Sequence, residues 1–240
     1  MRIEVLGVGF DNMTVDEAVA EGARLMSVPG AHYVVTPNPE IVETCREDPE
    51  ALEAVNGADL VLADGIGVIY GAKILGTPLV GRVTGIGFAQ GLMARMAREG
   101  KSLYLLGAKP GVAEQAAENL SGEYPGLRIA GTGDGYFRED GPVVEAIRAS
   151  GADAVFVCLG APKQEKWMQK NGEATGARLL VGLGGCLDVF SGQVQRAPEM
   201  FQKLGLEWLY RLVKSPSRIG RMMKLPLFLV HAAGEKGRRK

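Results

Sequence analysis

ADLVLADGIGVIYG, residues Ala58–Gly71, is the stretch around which the rest of the chain is organised. The short apolar run Leu60–Ala63 ends in Asp64-Gly65, and a helix-like spacing of apolar residues follows. A strand buried on both faces of a parallel sheet has such a composition, and α/β folds bind ligands at the carboxyl ends of those strands. Asp64 is therefore a candidate general base or ligand anchor; the alternative is that it only caps the following helix.

The alternation of strands and helices repeats along the chain. Glycine-rich turns follow the apolar runs Ser102–Leu106, Leu127–Gly131, Ala154–Leu159 and Leu179–Leu183, and helical patterns follow most of these turns. This order predicts an α/β fold of Rossmann-like type, with a mostly parallel sheet and helices on both faces. Several helix N-termini should then converge on one crevice, where free N–H groups and the helix dipole favour phosphate.

Length and composition exclude several classes of protein. The 240 residues are 46% hydrophobic, which suffices for one domain with or without an appendage. Three widely spaced cysteines indicate free thiols in a reducing compartment, and two histidines argue against a His-rich metal site. The N-terminal stretch is too short and wrongly flanked for us to expect a signal peptide, and no run reaches the roughly 18 apolar residues of a membrane span. We therefore expect a cytoplasmic protein.

Charge is unevenly distributed along the chain. The formal net charge is −1, but residues 203–240 contain ten Lys/Arg and two acids, a net charge of +8. Residues 1–202 contain 17 basic and 26 acidic residues, a net charge of −9. A basic tail on an acidic body indicates a polyanionic partner: a membrane surface, a nucleic acid or a diphosphate.

The C-terminal stretch differs in character from the rest. We place an α/β core at residues 1–197 and a helical, basic appendage at residues 198–240. A first helix is expected over Met200–Val213, and Ser215-Pro216 should begin a second. The apolar run Leu225–Val230 precedes a Lys/Arg-rich tip, which suits docking on an anionic membrane interface. The alternative is a solvated helix packed on the body.

Four stretches together resemble a known family. They are Thr36-Pro37-Asn38-Pro39-Glu40, Ala63-Asp64-Gly65-Ile66-Gly67, Gly160-Ala161-Pro162-Lys163-Gln164-Glu165, and Phe190-Ser191-Gly192 followed by Arg196-Ala197-Pro198. Their order and spacing are similar to those of the WecG/TagA/CpsF glycosyltransferases. The resemblance implies transfer of an N-acetylmannosamine-type sugar from a UDP donor to polyprenyl-diphosphate-linked N-acetylglucosamine, as in the linkage unit of wall teichoic acid. It also implies inversion at the anomeric carbon without a metal or other cofactor.

The resemblance assigns catalytic roles as well. Asp64 matches the family's proposed base, and Thr36 and Asn38 match its active-site polar residues. An amide and a hydroxyl can hold sugar hydroxyl or acetamido groups, although Asn38 could instead be only a turn residue between two prolines. The resemblance further implies that arginines of the appendage close over the site and contact the diphosphate. The candidates are Arg211, Arg218 and Arg221, and the sequence does not decide among them.

Substrate binding is expected to depend on cations and helix N-termini, because the sequence has no DxD motif to hold a metal beside the diphosphate. Gln164 and Lys163 could contact donor or acceptor, or could only cap a helix and meet solvent. Tyr136 could pack on the uracil or ribose, or be a structural loop residue. Asp188 could hold the ribose diol or cap a helix. The remaining substrate-binding candidates are Arg82, Gly107, Lys109, Gly160 and Gly185.

Three hypotheses for the function compete. The first is the inverting glycosyltransferase, with N-acetylmannosamine, its uronic acid, or another hexose or hexuronate as the sugar. The second is a sugar-nucleotide or nicotinamide oxidoreductase, but Gly7-Val8-Gly9-Phe10-Asp11-Asn12 lacks the third glycine of the dinucleotide fingerprint. The third is a non-catalytic membrane-docking module. The first hypothesis predicts three partners: a UDP-sugar donor, a lipid-linked GlcNAc acceptor and an anionic membrane surface. It places the protein at the inner face of the cell membrane and predicts no nucleic-acid partner. It leaves open whether the chain forms a homo-oligomer.

Overall fold

The computed structural model describes residues 1–203, 205–214 and 219–238; the side chains of Lys203, Arg211, Arg221 and Met222 are outside this description. Eight strands are assigned within these ranges. They are β1 (Arg2–Val5), β2 (Val8–Asp11), β3 (His32–Val35), β4 (Leu60–Val61), β5 (Ser102–Gly107), β6 (Arg128–Gly133), β7 (Ala154–Cys158) and β8 (Leu179–Gly182).

Six of these strands form one parallel sheet in the order β4-β3-β8-β7-β5-β6. The chain runs outward from β3 to β4, crosses to β5, and later fills the space between with β7 and β8. Every residue of β5, β7 and β8 is buried, so the centre of the sheet is covered on both faces. The predicted Rossmann-like fold is thus confirmed.

The helices alternate with the strands. They are α1 (Val15–Leu25), α2 (Pro39–Glu47), α3 (Pro49–Asn56), α4 (Ile66–Leu75), α5 (Gly85–Glu99), α6 (Val112–Glu123), α7 (Asp140–Ser150), α8 (Lys163–Asn171), α9 (Cys186–Phe190), α10 (Glu199–Lys203), α11 (Glu207–Lys214), α12 (Ile219–Met222) and α13 (Lys224–Arg238), with a short 3-10 helix at Glu173–Thr175.

The core consists of two apolar clusters, one on each face of the sheet. Neighbouring strand residues belong to different clusters, as Val155 and Phe156 of β7 do, because successive side chains of a strand point to opposite faces. Helices α2, α3, α4, α7, α8 and α13 cover one face, and α1, α5, α6 and α9 cover the other. Cys45 and Cys158 are buried free thiols, and Cys186 is a partly buried one, as expected.

The N-terminal strand differs from the simplest expectation. β1 pairs antiparallel with β2 and does not enter the main sheet. Leu6 and Gly7 connect the two strands and both have positive φ, 52° and 85°. Two residues with positive φ form the tight turn whose twist suits a hairpin. Thr14 begins α1 with a capping box, in which Glu17 is the second member.

The C-terminal segment contains more breaks than its pattern predicts. The helix expected over Met200–Val213 is interrupted at Gly205, which has φ +70° and separates α10 from α11. The expected helix start at Ser215-Pro216 lies outside the described residues. Within the described ranges, no helix is both long and apolar enough to cross a bilayer.

The last helix, α13, is part of the core. It packs against α4 and α2, and its Phe228 and Ala232 are completely buried. The Phe228 ring lies on Gly71 of α4, where an added Cβ would come within 2.6 Å of it. Beside this contact, His231 Nδ1 lies 2.9 Å from the buried carboxylate of Glu43. The packed-helix alternative therefore describes this part of the appendage.

Exposed apolar side chains are nevertheless concentrated in the C-terminal segment. Large ones project from α10 to α13 while Lys and Arg lie between them in the sequence. These exposed residues are Met200, Val213, Ile219, Met223, Leu227 and Val230.

Candidate active site

The loops that follow β3, β4, β7 and β8 are joined by hydrogen bonds at the carboxyl edge of the sheet. Thr36 Oγ1, after β3, donates to Gly182 O at 3.0 Å. Asp64 N, after β4, donates to Pro37 O at 3.2 Å. Gly184 N, after β8, donates to the side-chain oxygen of Gln164 at 3.0 Å. These hydrogen bonds connect the loops along the edge of the sheet where the sequence predicts a crevice.

The carboxylate of Asp64 faces the start of a helix that is distant in sequence. Its Oδ2 accepts a hydrogen bond from the N–H of Gly85, the first residue of α5, at 3.2 Å. A helix N-terminus favours negative charge at this position. The following helix, α4, begins at Gly65 without a side-chain cap, and the hydrogen bond from Gly85 N–H joins Asp64 to α5.

Thr36 lies beside the same helix start. Its side chain is 8% exposed, and a Cβ added at Gly85 would lie 3.1 Å from Thr36 Oγ1. A side chain at position 85 would therefore crowd the Thr36 hydroxyl. Thr84 caps α5 by accepting from the N–H of Gly87 at 3.2 Å. Thr36, Asp64 and Gly85 thus form one compact group.

Asn38 has a structural role that the structure makes explicit. It is the N-cap of α2, and its Oδ1 accepts from Ile41 N at 3.1 Å. A Cβ added at Gly65 would lie 3.7 Å from Asn38 Cβ, so the starts of α2 and α4 are adjacent. Asn38 and Asp64 therefore lie on neighbouring loops, as the sequence predicts for strand ends of one sheet.

Gln164 lies beneath the crevice. It is 2% exposed. Its side-chain oxygen accepts a hydrogen bond from Gly184 N, and its Nε2 donates to Glu165 Oε1 at 2.8 Å. Glu165 itself is 1% exposed; burial raises the pKa of this carboxyl, and the hydrogen bond from Gln164 opposes that rise. Gln164 thus sets the position of the loop after β8, and the alternative of simple helix capping does not describe it.

The loops after β5, β6 and β7 form the other side of the crevice. Gly107 has φ 129° and packs against the carbonyl of Cys158, where a side chain would not fit. Gly135 N donates to Ala108 O at 2.9 Å, and Lys163 Nζ donates to Gly135 O at 3.3 Å. The exposed Lys163 ammonium therefore links two of these loops.

The remaining candidate residues on this side are described by their exposure and backbone conformation. Tyr136 is 68% exposed beside these loops, and Lys109 is also exposed. Gly160 has a left-handed backbone, with φ +78°. Asp188 is half-buried in the first turn of α9, which begins at Gly185 without a side-chain cap. Exposed groups at the rim are accessible to a ligand, but the structure shows no contact that fixes their role.

The arginine candidates have different outcomes. Arg82 contacts the C-terminal segment: its Nη1 lies 3.3 Å from Glu207 Oε2, and its Nη2 donates to Gln202 O at 3.0 Å. Arg211 and Arg221 belong to α11 and α12, but their side chains lie outside the description, and Arg218 lies outside the described residues altogether.

The whole chain matches one family of proteins. Residues 3–240 match the model of the glycosyl transferase WecG/TagA/CpsF family. The chain belongs to this family. It is 38% identical over 197 residues to the N-acetylglucosaminyldiphosphoundecaprenol N-acetyl-beta-D-mannosaminyltransferase of Bacillus spizizenii W23, covering 82% of this chain and 77% of that one. It is 34% identical over 237 residues to the enzyme of the same name from Staphylococcus aureus MW2, covering 98% and 93%.

Several residues of the candidate site were not predicted from the sequence. Gly85 is one of them, although Thr84 before a helical pattern is a recognisable N-cap signal. Glu207 and Glu165 carry no motif that identifies them as partners of Arg82 and Gln164. Within the described residues, no group of three or more His, Cys, Asp or Glu side chains could hold a metal ion.

Proposed function

We propose that this protein is an inverting glycosyltransferase that moves N-acetylmannosamine from UDP-N-acetylmannosamine to GlcNAc-diphosphoundecaprenol. Relatives that carry this activity in their names align with up to 98% of the chain. The observation that carries the proposal is the position of Asp64 at the end of β4, hydrogen-bonded to the start of α5 and beside Thr36. A carboxylate held at the carboxyl edge of a parallel sheet is suited to act as the general base of a single-displacement glycosyl transfer.

In the proposed reaction Asp64 removes the proton from the acceptor hydroxyl. That oxygen attacks the anomeric carbon, its new bond to carbon forms, and the bond from carbon to the UDP oxygen breaks. The electron pair of the broken bond leaves with UDP, and attack from the opposite face inverts the anomeric centre. The N–H of Gly85 orients the carboxylate, and such positioning lowers the barrier by avoiding reorganisation during the reaction.

The negative charge that develops on UDP requires stabilisation. The start of α5 lies at Asp64 and the start of α8 follows β7, and N–H groups at helix starts are suited to phosphate oxygens. In our proposal, Lys163 and Arg82 supply positive charge. The arginines of the C-terminal segment complete this set in our proposal. We propose that no metal takes part.

Metal independence is directly testable. Because helix starts and cations are proposed to replace a metal, we expect a chelator to leave the rate of UDP release unchanged. The measurement compares initial rates with EDTA, with added Mg²⁺ and with added Mn²⁺. A rate that falls with EDTA and returns with either metal would contradict the proposal.

The names of the relatives favour N-acetylmannosamine over its uronic acid or another sugar, and they do not favour an oxidoreductase. The deciding experiment presents purified protein with a water-soluble GlcNAc-diphosphate lipid analogue and each UDP-sugar in turn. We expect product and UDP release with UDP-N-acetylmannosamine, and a β-linkage by NMR. Transfer from a different donor, or a change in nicotinamide absorbance, would overturn this assignment.

We also propose that the protein works at the inner face of the cell membrane. The acceptor is lipid-linked, so the catalytic crevice must reach the bilayer surface. Exposed apolar side chains on α10 to α13 and the net charge of +8 in residues 203–240 support this location. Together they provide interfacial burial and attraction to anionic lipid.

A further inference from the structure

One carboxylate of the C-terminal segment lies between two arginines of the body. Glu207, the first residue of α11, has its Oε2 3.3 Å from Arg82 Nη1 and its Oε1 3.8 Å from Arg196 Nε. All three side chains are mostly buried, with exposed fractions of 20% for Arg82, 14% for Glu207 and 27% for Arg196. Charge attraction at such sites is less screened than on the open surface.

The triad of Arg82, Glu207 and Arg196 lies next to the proposed base, Asp64. Val83, the neighbour of Arg82, donates from its N–H to Ala63 O at 3.0 Å, which places Arg82 beside the strand end that carries Asp64. The turn between α10 and α11 rests on the start of α4: a Cβ added at Gly205 would lie 2.9 Å from Ile66 Cβ. Glu207 therefore holds the C-terminal segment at the edge of the crevice.

Glu207 neither neutralises the charge of both arginines nor accepts hydrogen bonds from all of their N–H groups. Two guanidinium groups share one carboxylate, so the group retains one net positive charge. The Nε of Arg196 is buried and has no hydrogen-bond partner among the described residues, since 3.8 Å to Glu207 is too long for a hydrogen bond. The Nη1 of Arg196 donates to Gln90 Oε1 at 3.2 Å. Planar guanidinium groups bind phosphate oxygens in pairs, and a diphosphate offers more such oxygens and more charge than one carboxylate.

We propose that Glu207 is an internal anion that occupies Arg82 and Arg196 until the diphosphate of a substrate takes its place. This inference rests on the proposed function, because it takes the ligand to be a nucleoside or lipid diphosphate. Displacement of Glu207 breaks the ion pairs that hold α11 in its resting position, which frees this helix to bring Arg211 to the bound diphosphate. The triad thus couples occupancy of the crevice to movement of the C-terminal segment, and it lowers diphosphate affinity in the resting protein.

Binding of pyrophosphate and of UDP to the full chain tests this inference. Glu207→Gln keeps the size of the side chain but removes the competing charge, so we expect about three- to fivefold tighter binding of both ligands by calorimetry. Glu47→Gln removes the same charge from an exposed position at the end of α2 and should bind as the wild type does. Equal or weaker binding by Glu207→Gln would overturn the proposal.

A measurement on the unaltered protein keeps the test decisive if Glu207→Gln folds poorly. Pyrophosphate should increase amide hydrogen exchange in Glu207–Lys214 of the wild type, because displacement of Glu207 releases this helix. Unchanged or slower exchange at saturating pyrophosphate would contradict the proposal. Neither experiment measures sugar transfer, so a failure of the triad is distinguishable from a failure of the proposed reaction. UDP and pyrophosphate in separate titrations show whether the diphosphate alone suffices.

Discussion

Asp64 is the residue on which the proposed chemistry depends most directly. Asp64→Asn keeps the shape of the side chain and its capacity to accept from Gly85 N–H, but it removes the base. We expect turnover to fall by about 10²–10⁴-fold, with UDP affinity close to that of the wild type. Initial rates of UDP release and calorimetric titration with UDP measure the two effects.

The control is Asp16→Asn, which removes an exposed carboxylate in the first turn of α1. It should leave both turnover and UDP affinity unchanged. Activity of Asp64→Asn within a few-fold of the control would exclude Asp64 as the base.

Glu165 gives a prediction about pH. Burial raises the pKa of this carboxyl above its ordinary value of 4.5, so the folded state binds a proton more tightly than the unfolded state does. The associated stability is present below pH 4.5 and is lost as pH rises through the folded-state pKa. Glu165→Gln, which can still accept from Gln164, should therefore gain stability relative to the wild type as pH increases. Urea unfolding at a series of pH values from 4 to 8 measures this difference, and a difference independent of pH would refute it.

For single residues, the sequence predicted where a side chain lies in the fold better than it predicted which group that side chain contacts. The apolar run before Asp64 was enough to place it at a strand end, and parallel strands bring such ends together. The donor to its carboxylate, Gly85, comes from a helix 21 residues later, and no local pattern encodes that approach. Asn38 shows the converse, because its capping of α2 is a local contact at a position where the two flanking prolines already indicated a turn.

Among the secondary-structure elements, the contact between α4 and α13 gives the clearest stability prediction. Gly71→Ala places a methyl group within 2.6 Å of the buried Phe228 ring, and we expect a loss of about 1–3 kcal/mol in the free energy of unfolding. Gly122→Ala on α6 is the matched control, because a Cβ there meets nothing within 4 Å. It should stabilise the protein by roughly 0.5–1 kcal/mol, through helix propensity alone. Equal effects of the two substitutions in urea unfolding would contradict the packing argument.

The elements of the parallel sheet were predictable because their cause is local. Buried strands produce continuous apolar runs, and the glycine-rich turns after them have few alternative conformations. The contact of α13 with α4 was not predictable in the same way. An amphipathic helix with an apolar run has the same sequence pattern whether its apolar face meets a bilayer or the protein core. In this protein Phe228 is buried in the core.

For the molecule as a whole, the exposed apolar side chains of the C-terminal segment predict a membrane-facing surface. Val230 is 67% exposed on α13, and Val80 is 61% exposed on the body. We expect Val230→Asp to weaken binding to anionic liposomes roughly five- to tenfold, because it removes one interfacial apolar group. Val80→Asp should leave liposome binding unchanged. Turnover of Val230→Asp on a water-soluble acceptor should equal that of the wild type.

Liposome sedimentation and the soluble-acceptor assay separate recruitment from chemistry in this experiment. Equal loss of liposome binding in both variants would show that general charge, and not this surface, controls attachment. Deletion of residues 203–240 cannot make the same distinction, since it removes Phe228 and Ala232 from the core together with the basic tail.

The burial of Phe228 against Gly71 also has a consequence for biosynthesis. A ribosome releases this chain from its N-terminus, so α4 emerges long before α13 has been made. Until α13 has been synthesised, the surface of α4 around Gly67 and Gly71 lacks Leu225 and Phe228, which pack on it in the folded protein. The nascent chain therefore carries an uncovered apolar surface during this interval, and such a surface is a binding site for chaperones and a starting point for aggregation.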